Sequence, residues 1–258
     1  MKVTHKIKVM MLAGKGESTT LIFNGIKDNF SIEKVIIEEP ISKIQMLKRR
    51  AQNLGLIKVA GQIIFMGYNV WLKKISKKRI IEIMSNEKLN DEKIDGQIVS
   101  KVTSVNSEKV IILLKKIQPD VVVVNGTRVI KKEVIEAIDA PFVNTHAGIT
   151  PKYRGVHGGY WALAENDQEH CGVTIHLVDT GIDTGGVLYQ KAIRTTNNDT
   201  FNTYPYLQIA AAIPLMKKAI KDIADNTYKI QNVALPSKLW SHPTIFEYLK
   251  NRILHGTK

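Results

Sequence analysis

Cysteine is almost missing from this sequence: Cys171 is the only one among 258 residues. An intrachain disulfide is therefore excluded, and a Cys-rich zinc or iron–sulfur site has no ligands to draw on. Cys171 has apolar neighbours and reads as a small buried residue rather than a nucleophile. Long apolar runs are missing too. Residues 7–13 are apolar, but Gly14-Lys-Gly16 cuts them short, so neither a signal peptide nor a spanning helix is expected. The default is a soluble cytoplasmic protein. The patterns GxxxxGK[ST] and GxGxxG are both absent, which excludes the P-loop and the dinucleotide fingerprint. Aromatics make up only 7% of the chain. Acidic residues are outnumbered, 24 against 37 Lys and Arg, for a net charge of +13. Between Ile41 and Ile81 there are ten Lys or Arg and no Asp or Glu. Such a charge admits nucleic acid, anionic lipid and phosphorylated small molecules as partners.

What is present is a hydrophobic content of 44%, enough for one large domain with a small appendage. Apolar runs alternate with periodic segments through the first 145 residues. Strands are expected at Lys6–Ala13, Ile32–Glu38, Gln97–Val102, Val121–Val124 and Phe142–Thr145. The four consecutive valines before Asn125-Gly126 read as a central parallel strand buried on both faces. Asn106 is placed as the N-cap of a helix running to Lys116, and a helix through about Ala137 follows the 127–130 loop. This alternation predicts an α/β fold with a doubly wound, mostly parallel sheet. Beyond it, a helix is expected at His157–Glu165, strands at Gly172–Val178 and Val187–Ile193, and a long helix from Thr200 to Ala224. We expect residues 1–226 to form one catalytic domain with a basic helical insertion at about 41–86. Residues 227–258 are expected to be a covering segment.

The insertion has two readings. It packs its apolar side against the sheet or a partner subunit, as in a homodimer. Alternatively, the 41–81 segment makes a peripheral contact with an anionic membrane, or forms a basic lid over a phosphorylated substrate. Aromatics are too sparse there for a nucleic-acid stacking platform.

The chemistry concentrates in residues 141–155. A short apolar run delivers Asn144 and His146 to a loop containing Gly148, Pro151 and Gly155, at the carboxyl edge where open α/β sheets place ligands. Downstream, Asp179-Thr-Gly-Ile-Asp-Thr-Gly-Gly186 offers carboxylates on a Gly-rich loop. Taken singly, Asn144 reads as a strand-ending residue and His146 as a cap of the loop. Gly14 and Gly16 allow a tight turn, or the approach of a substrate to the backbone. Asp179 precedes Thr-Gly and is expected to order its own loop.

Together, Asn144-x-His146, the loop to Gly155, His157 and Asp183-Thr-Gly-Gly186 resemble the folate-dependent formyltransferases. That family includes glycinamide ribonucleotide, methionyl-tRNA and sugar-nucleotide formyltransferases. The strong likeness covers about Asp120 to Ile193. It implies a Rossmann-like formyltransferase fold and transfer of a formyl group from N10-formyltetrahydrofolate to an amine, without a metal. It implies Asn144, His146 and Asp183 as the catalytic set. Folate contacts are implied at Gly126, Thr127, Arg128, Val129 and Ile130, and at Leu177, Val178 and Asp179. Gly14, Gly16, Lys152, Tyr153, Arg154 and His157 are candidates for the acceptor side.

In that scheme Asn144 and a protonated His146 donate to the oxygen on which charge develops. Asp183 holds the imidazole cationic and receives the amine's proton. His176 is assigned a folate-side or structural role. The acceptor is expected to be a small phosphorylated amine, a nucleotide-linked amino sugar in the reading taken, with no nucleic-acid partner. The short tail argues against initiator tRNA. Where relatives often read Ser-Leu-Leu-Pro after the histidine, this chain has Gly148-Ile-Thr-Pro151. Glycinamide ribonucleotide formylation, hydrolysis of formyltetrahydrofolate, and a non-catalytic membrane-associated role remain the alternatives.

Overall fold

Four valines in a row, Val121–Val124, occupy the middle of a seven-stranded sheet and are all buried. The structure is a computed structural model that describes residues 6–258. The strands are β1 (Lys8–Gly14), β2 (Ser31–Glu38), β3 (Val99–Val102), β4 (Val121–Asn125), β5 (Phe142–His146), β7 (Gly172–Leu177) and β8 (Val187–Ala192). Their order is β3-β2-β1-β4-β5-β7-β8. The first five are parallel, β7 runs against them, and β8, antiparallel to β7, returns to their direction. β6 (Arg154–Gly155) pairs instead with β9 (Leu239–Trp240) in a separate parallel ribbon.

Successive side chains of a strand point to opposite faces, and both faces of this sheet are covered. Val9, Met11, Val121, Val123 and Val143 join one apolar cluster. Met10, Leu12, Val122, Val124 and Phe142 join another. The first cluster is roofed by α1 (Glu17–Ile26), α3 (Leu56–Asn86), α6 (Gly158–Ala164), α7 (Tyr204–Ala224) and α8 (Ile245–His255). The second is covered by α4 (Glu108–Ile117) and the short α5 (Lys132–Ile135). This two-sided cover is the doubly wound arrangement that the alternating elements predict.

The basic segment 41–86 is two helices, α2 (Lys43–Leu54) and α3. The 31-residue α3 runs straight through Gly61 and Gly67. Phe65 from its inner face meets Phe201 and Tyr248, each with ring centroids 5.0 Å apart. Lower down, Arg79 Nε donates to Asp199 Oδ1 at 2.8 Å. The tail is fastened to the same helix: Gln62 Nε2 donates to the His242 carbonyl at 2.7 Å. Among the described residues no helix is long and apolar enough to cross a membrane.

Two helix starts differ from expectation. Ser107, not Asn106, is the N-cap of α4. Asn106 instead ties down the next loop, accepting from Lys131 N at 2.7 Å and donating to the Val129 carbonyl at 3.0 Å. The long helix α7 begins at Tyr204 rather than Thr200. Asp199 is bonded to Thr196, Thr203 and Arg79, so the backbone just after it is held as a turn.

Candidate active site

Asn144 and His146 are two residues apart on β5, so they share one face. Antiparallel pairing places His176 of β7 directly opposite Asn144. The loop after β7 brings in Asp183. The four side chains converge. His146 Nδ1 is 3.2 Å from Asp183 Oδ2, and His176 Nε2 is 3.6 Å from Asp183 Oδ1. Asn144 Nδ2 lies 3.1 Å from His176 Nε2 and 3.5 Å from Asp183 Oδ1. Asp183 is held in the left-handed region at φ 51°, a conformation that a non-glycine residue adopts at some cost and that clusters at functional sites. The Gly155 amide donates to its Oδ2 at 2.9 Å, and Arg154 donates to the neighbouring Ile182 carbonyl at 3.1 Å.

The hydrogen bonds fix protons. A carbonyl only accepts, so His176 Nδ1, 2.7 Å from the Leu177 carbonyl, carries the hydrogen. Its Nε2 lone pair then accepts from Asn144, which orients that amide. His146 Nε2 is 2.6 Å from the Tyr153 carbonyl and is likewise a donor. Its Nδ1 faces the Asp183 carboxylate.

Burial pushes the His146 imidazole below its ordinary value, and this outweighs the opposing pull of Asp183 and the Tyr153 carbonyl. Desolvation thus works against the standing imidazolium that the neighbouring carboxylate leads one to expect. Both nitrogens also face protein oxygens, so the ring is not free to donate elsewhere. Burial pushes the Asp183 carboxyl up, but His176, His146 and the Gly155 amide together hold it below the usual carboxylate range.

These groups open onto a cleft of about 890 Å³, within the size range of small-molecule sites. Residues 126–130 line it, with Val178 and Asp179. Leu177 does not; it packs against the first core cluster. Asp179 accepts from Gly181 N at 3.0 Å and Thr184 Oγ1 at 2.7 Å, ordering its loop as expected. Arg128 is clamped by the buried Glu38, with Nε 3.0 Å from Oε1.

His157 lines the cleft and also starts α6 at φ 58°. Gly14 and Gly16 line a smaller adjoining cavity of about 280 Å³ that shares Ser18 and residues 126–128 with the main cleft. A side chain at Gly14 would collide with the Gly126 carbonyl, so close strand approach accounts for that glycine. Lys152 and Tyr153 are turned away. Both engage Asp167, and Tyr153 is fully buried, its hydroxyl donating at 2.7 Å. Arg154 braces the Asp183 loop rather than lining the cleft.

The opposite wall is built from residues that the sequence does not single out, though a basic lid from 41–81 is one expectation. Arg50, Lys58 and Gln62 from the insertion line the cleft, with Trp240 and His242 from the tail. Gln62 is buried, and its Oε1 has no hydrogen-bond partner. His157 Nε2 is 3.0 Å from His242 Nδ1. Burial, with Arg50 nearby, pushes these imidazoles down to about 3 and about 4. Among the described residues no cluster of His, Cys, Asp and Glu is arranged to hold a metal ion.

A family model described as formyl transferase matches residues 69–208, more than half of the chain. Methionyl-tRNA formyltransferase of Finegoldia magna is 36% identical over 120 residues, covering 46% of this chain and 38% of that protein. The enzyme of the same name from Pelotomaculum thermopropionicum is 37% identical over 92 residues, covering 35% and 29%. The chain thus spans about a third of the length of these curated relatives. Among solved structures, a sugar N-formyltransferase from a Shewanella species superposes with TM-score 0.56 at 18% identity, covering 91% of this chain and 76% of that one. Phosphoribosylglycinamide formyltransferase of Anaplasma phagocytophilum gives 0.56 at 15%, covering 91% and 98%. At such identities the likeness concerns the fold.

Proposed function

We infer the reaction from one premise: the chain belongs to the formyl transferase family. We propose that it moves a formyl group from N10-formyltetrahydrofolate to a primary amine, with Asn144, His146 and Asp183 as the catalytic set. The observation that carries this is the convergence of the three side chains at one end of a cleft whose side is the 126–130 loop.

The cleft suits the donor. It combines apolar lining from Val124, Val129, Ile130 and Val178 with a few fixed polar groups, and its volume admits a ligand of that size. When bound, N10-formyltetrahydrofolate supplies the formyl carbon, whose bond to N10 breaks as the bond to the amine nitrogen forms, N10 taking up the proton that the amine gives up. Residues 126–130, Val178 and Asp179 would hold it.

The chain's own groups divide the work. One Asn144 N–H is committed to His176. The other has only its long contact to Asp183 and is the donor available to an oxygen on which charge develops. The His146 ring is fixed through Nε2 to the Tyr153 carbonyl. Its Nδ1 and Asp183 Oδ2 are two acceptors 3.2 Å apart. A proton shared between them relieves their repulsion, so the pair is suited to take the proton from the amine. Uptake makes the imidazolium during the reaction rather than before it.

For the acceptor we propose a phosphorylated amine, with a nucleotide-linked amino sugar preferred. Arg50 and Lys58 in the cleft wall supply cationic groups for phosphate. The related fold of an N-formyltransferase from Helicobacter canadensis, solved with folinic acid and dTDP-3-aminofucose, supports the same reading; its TM-score is 0.53 at 20% identity, covering 90% of this chain and 70% of that one. Glycinamide ribonucleotide is the competing phosphorylated amine.

The test is a panel of amines, including nucleotide-linked amino sugars and glycinamide ribonucleotide, supplied with N10-formyltetrahydrofolate. Tetrahydrofolate release that depends on one amine, with the formylated amine seen by mass spectrometry, is expected. Release with water alone, unaffected by any amine, would replace transfer by hydrolysis.

A further inference from the structure

The outer face of α3 is apolar where a soluble helix is normally polar. Its inner face is spent on the core through Val59, Phe65, Leu72, Ile80 and Ile83. On the outer side Leu56, Ile57, Ile63, Ile64, Val70 and Trp71 are 47–90% exposed. Ala60, Met66 and Gly67 complete that face, and from Val59 to Leu72 the helix carries no charged residue. Immediately beyond Trp71 the exposed positions are Lys73, Lys74, Lys77 and Lys78, with Ile75 among them. The preceding helix α2 adds exposed Lys48 and Arg49. The adjacent α8 repeats the pattern. It packs on α3 through Tyr248, yet leaves Phe246, Leu249, Ile253 and Leu254 exposed, with Lys250 and Arg252 among them.

We propose that the outer face of α3, with α8 beside it, docks on a bilayer surface containing anionic phospholipid. Exposed apolar area of this extent marks an interaction site. The charge selects the partner. Lys48, Arg49, Lys73, Lys74, Lys77 and Lys78 border this face, and no acidic residue lies between Ile41 and Ile81. A second copy docked on this face would bring two strongly cationic segments against each other, and like charges across an interface oppose association. A lipid surface instead offers hydrocarbon for the isoleucines and anionic headgroups for the lysines, with Trp71 at the transition between them. Because no described helix can span a bilayer, the contact is peripheral. Docking requires no turnover, so lipid binding and formyl transfer can fail independently.

The experiment is co-sedimentation of the full chain with vesicles of phosphatidylcholine alone, or of phosphatidylcholine mixed with phosphatidylglycerol. Sedimentation with the mixed vesicles only is expected, and it weakens as salt screens the lysines. The double substitution Ile64→Asp/Val70→Asp is expected to lower binding by at least about tenfold. Lys74→Glu/Lys78→Glu is expected to abolish the preference for anionic lipid. Circular dichroism checks that both variants keep the fold, as these positions are exposed. Absence of binding to either vesicle overturns the proposal, as does undiminished binding by Ile64→Asp/Val70→Asp. A concentration-dependent dimer in light scattering that the same substitutions abolish would assign the face to a second copy, and also overturns it.

Discussion

Asn144 and His176 face each other across β5 and β7, the amide nitrogen 3.1 Å from the imidazole Nε2. His176 is in turn anchored to the Leu177 carbonyl at 2.7 Å. In the proposed mechanism the histidine is a positioning residue that aims the Asn144 amide. Asn144→Ala should lower kcat by roughly 10²–10³-fold, the usual loss for one oxyanion donor. His176→Phe should cost about tenfold alone but little more in the Asn144→Ala background, because the two belong to one unit. Fully additive losses in that double-mutant cycle would show that His176 does not act through Asn144.

The proton-accepting pair sets a pH dependence. In the proposed mechanism His146 must be unprotonated at Nδ1 to receive the amine's proton, and burial lowers its pKa from the ordinary 6.5. Activity is therefore present above that depressed value and lost as pH falls through it. The acid limb of kcat/KM should lie below pH 6.5. An acid limb above 6.5, or activity that rises on acidification, would contradict the neutral assignment.

His157 and His242 carry a stability signature. Their folded values of about 3 and about 4 lie below the ordinary 6.5, so the unfolded chain binds protons first as pH falls. The stability they contribute is full above pH 6.5 and is lost as pH drops toward 4 and then 3. By pH 5 the loss should be on the order of 2–4 kcal/mol for the pair. Thermal melts at pH 7 and pH 5 measure it. A His157→Gln/His242→Gln variant should have a markedly flatter profile, and an unchanged slope would place the protonation elsewhere.

Helix α3 is locked to the loop before α7 through Arg79 and Asp199, an ion pair whose carboxylate is fully buried. Arg79→Met strands that carboxylate. The expected cost is about 3 kcal/mol, because removing one partner of a buried pair leaves the other charge uncompensated. Urea unfolding of the two proteins gives the difference directly. A change below about 1 kcal/mol would mean the pair behaves as a surface ion pair.

Much of the framework is legible in the chain because it depends on local pattern. The Val121–Val124 run can only be a strand buried on both sides, and Asn144 and His146 two apart at a strand end must share a face. Asp183 is recognisable only with the family pattern behind it. The rest depends on contacts that no local pattern encodes. His176 owes its role to a partner 32 positions away in sequence. Gln62 reaches the cleft alongside His242, across a separation of 180. Lys152 and Tyr153, beside the site in sequence, are drawn off by Asp167. The state of His146 is hidden for a related reason: an adjacent carboxylate predicts a cation, and only the degree of burial reverses the sign.

The most direct test of the catalytic centre is single-turnover transfer of an isotopically labelled formyl group from N10-formyltetrahydrofolate to the preferred amine. It is made with the wild-type chain and with His146→Ala and Asp183→Asn. Labelled product is expected from the wild type and at least about a hundredfold slower transfer from each variant, with circular dichroism showing all three folded. Near-wild-type transfer by either folded variant would contradict it.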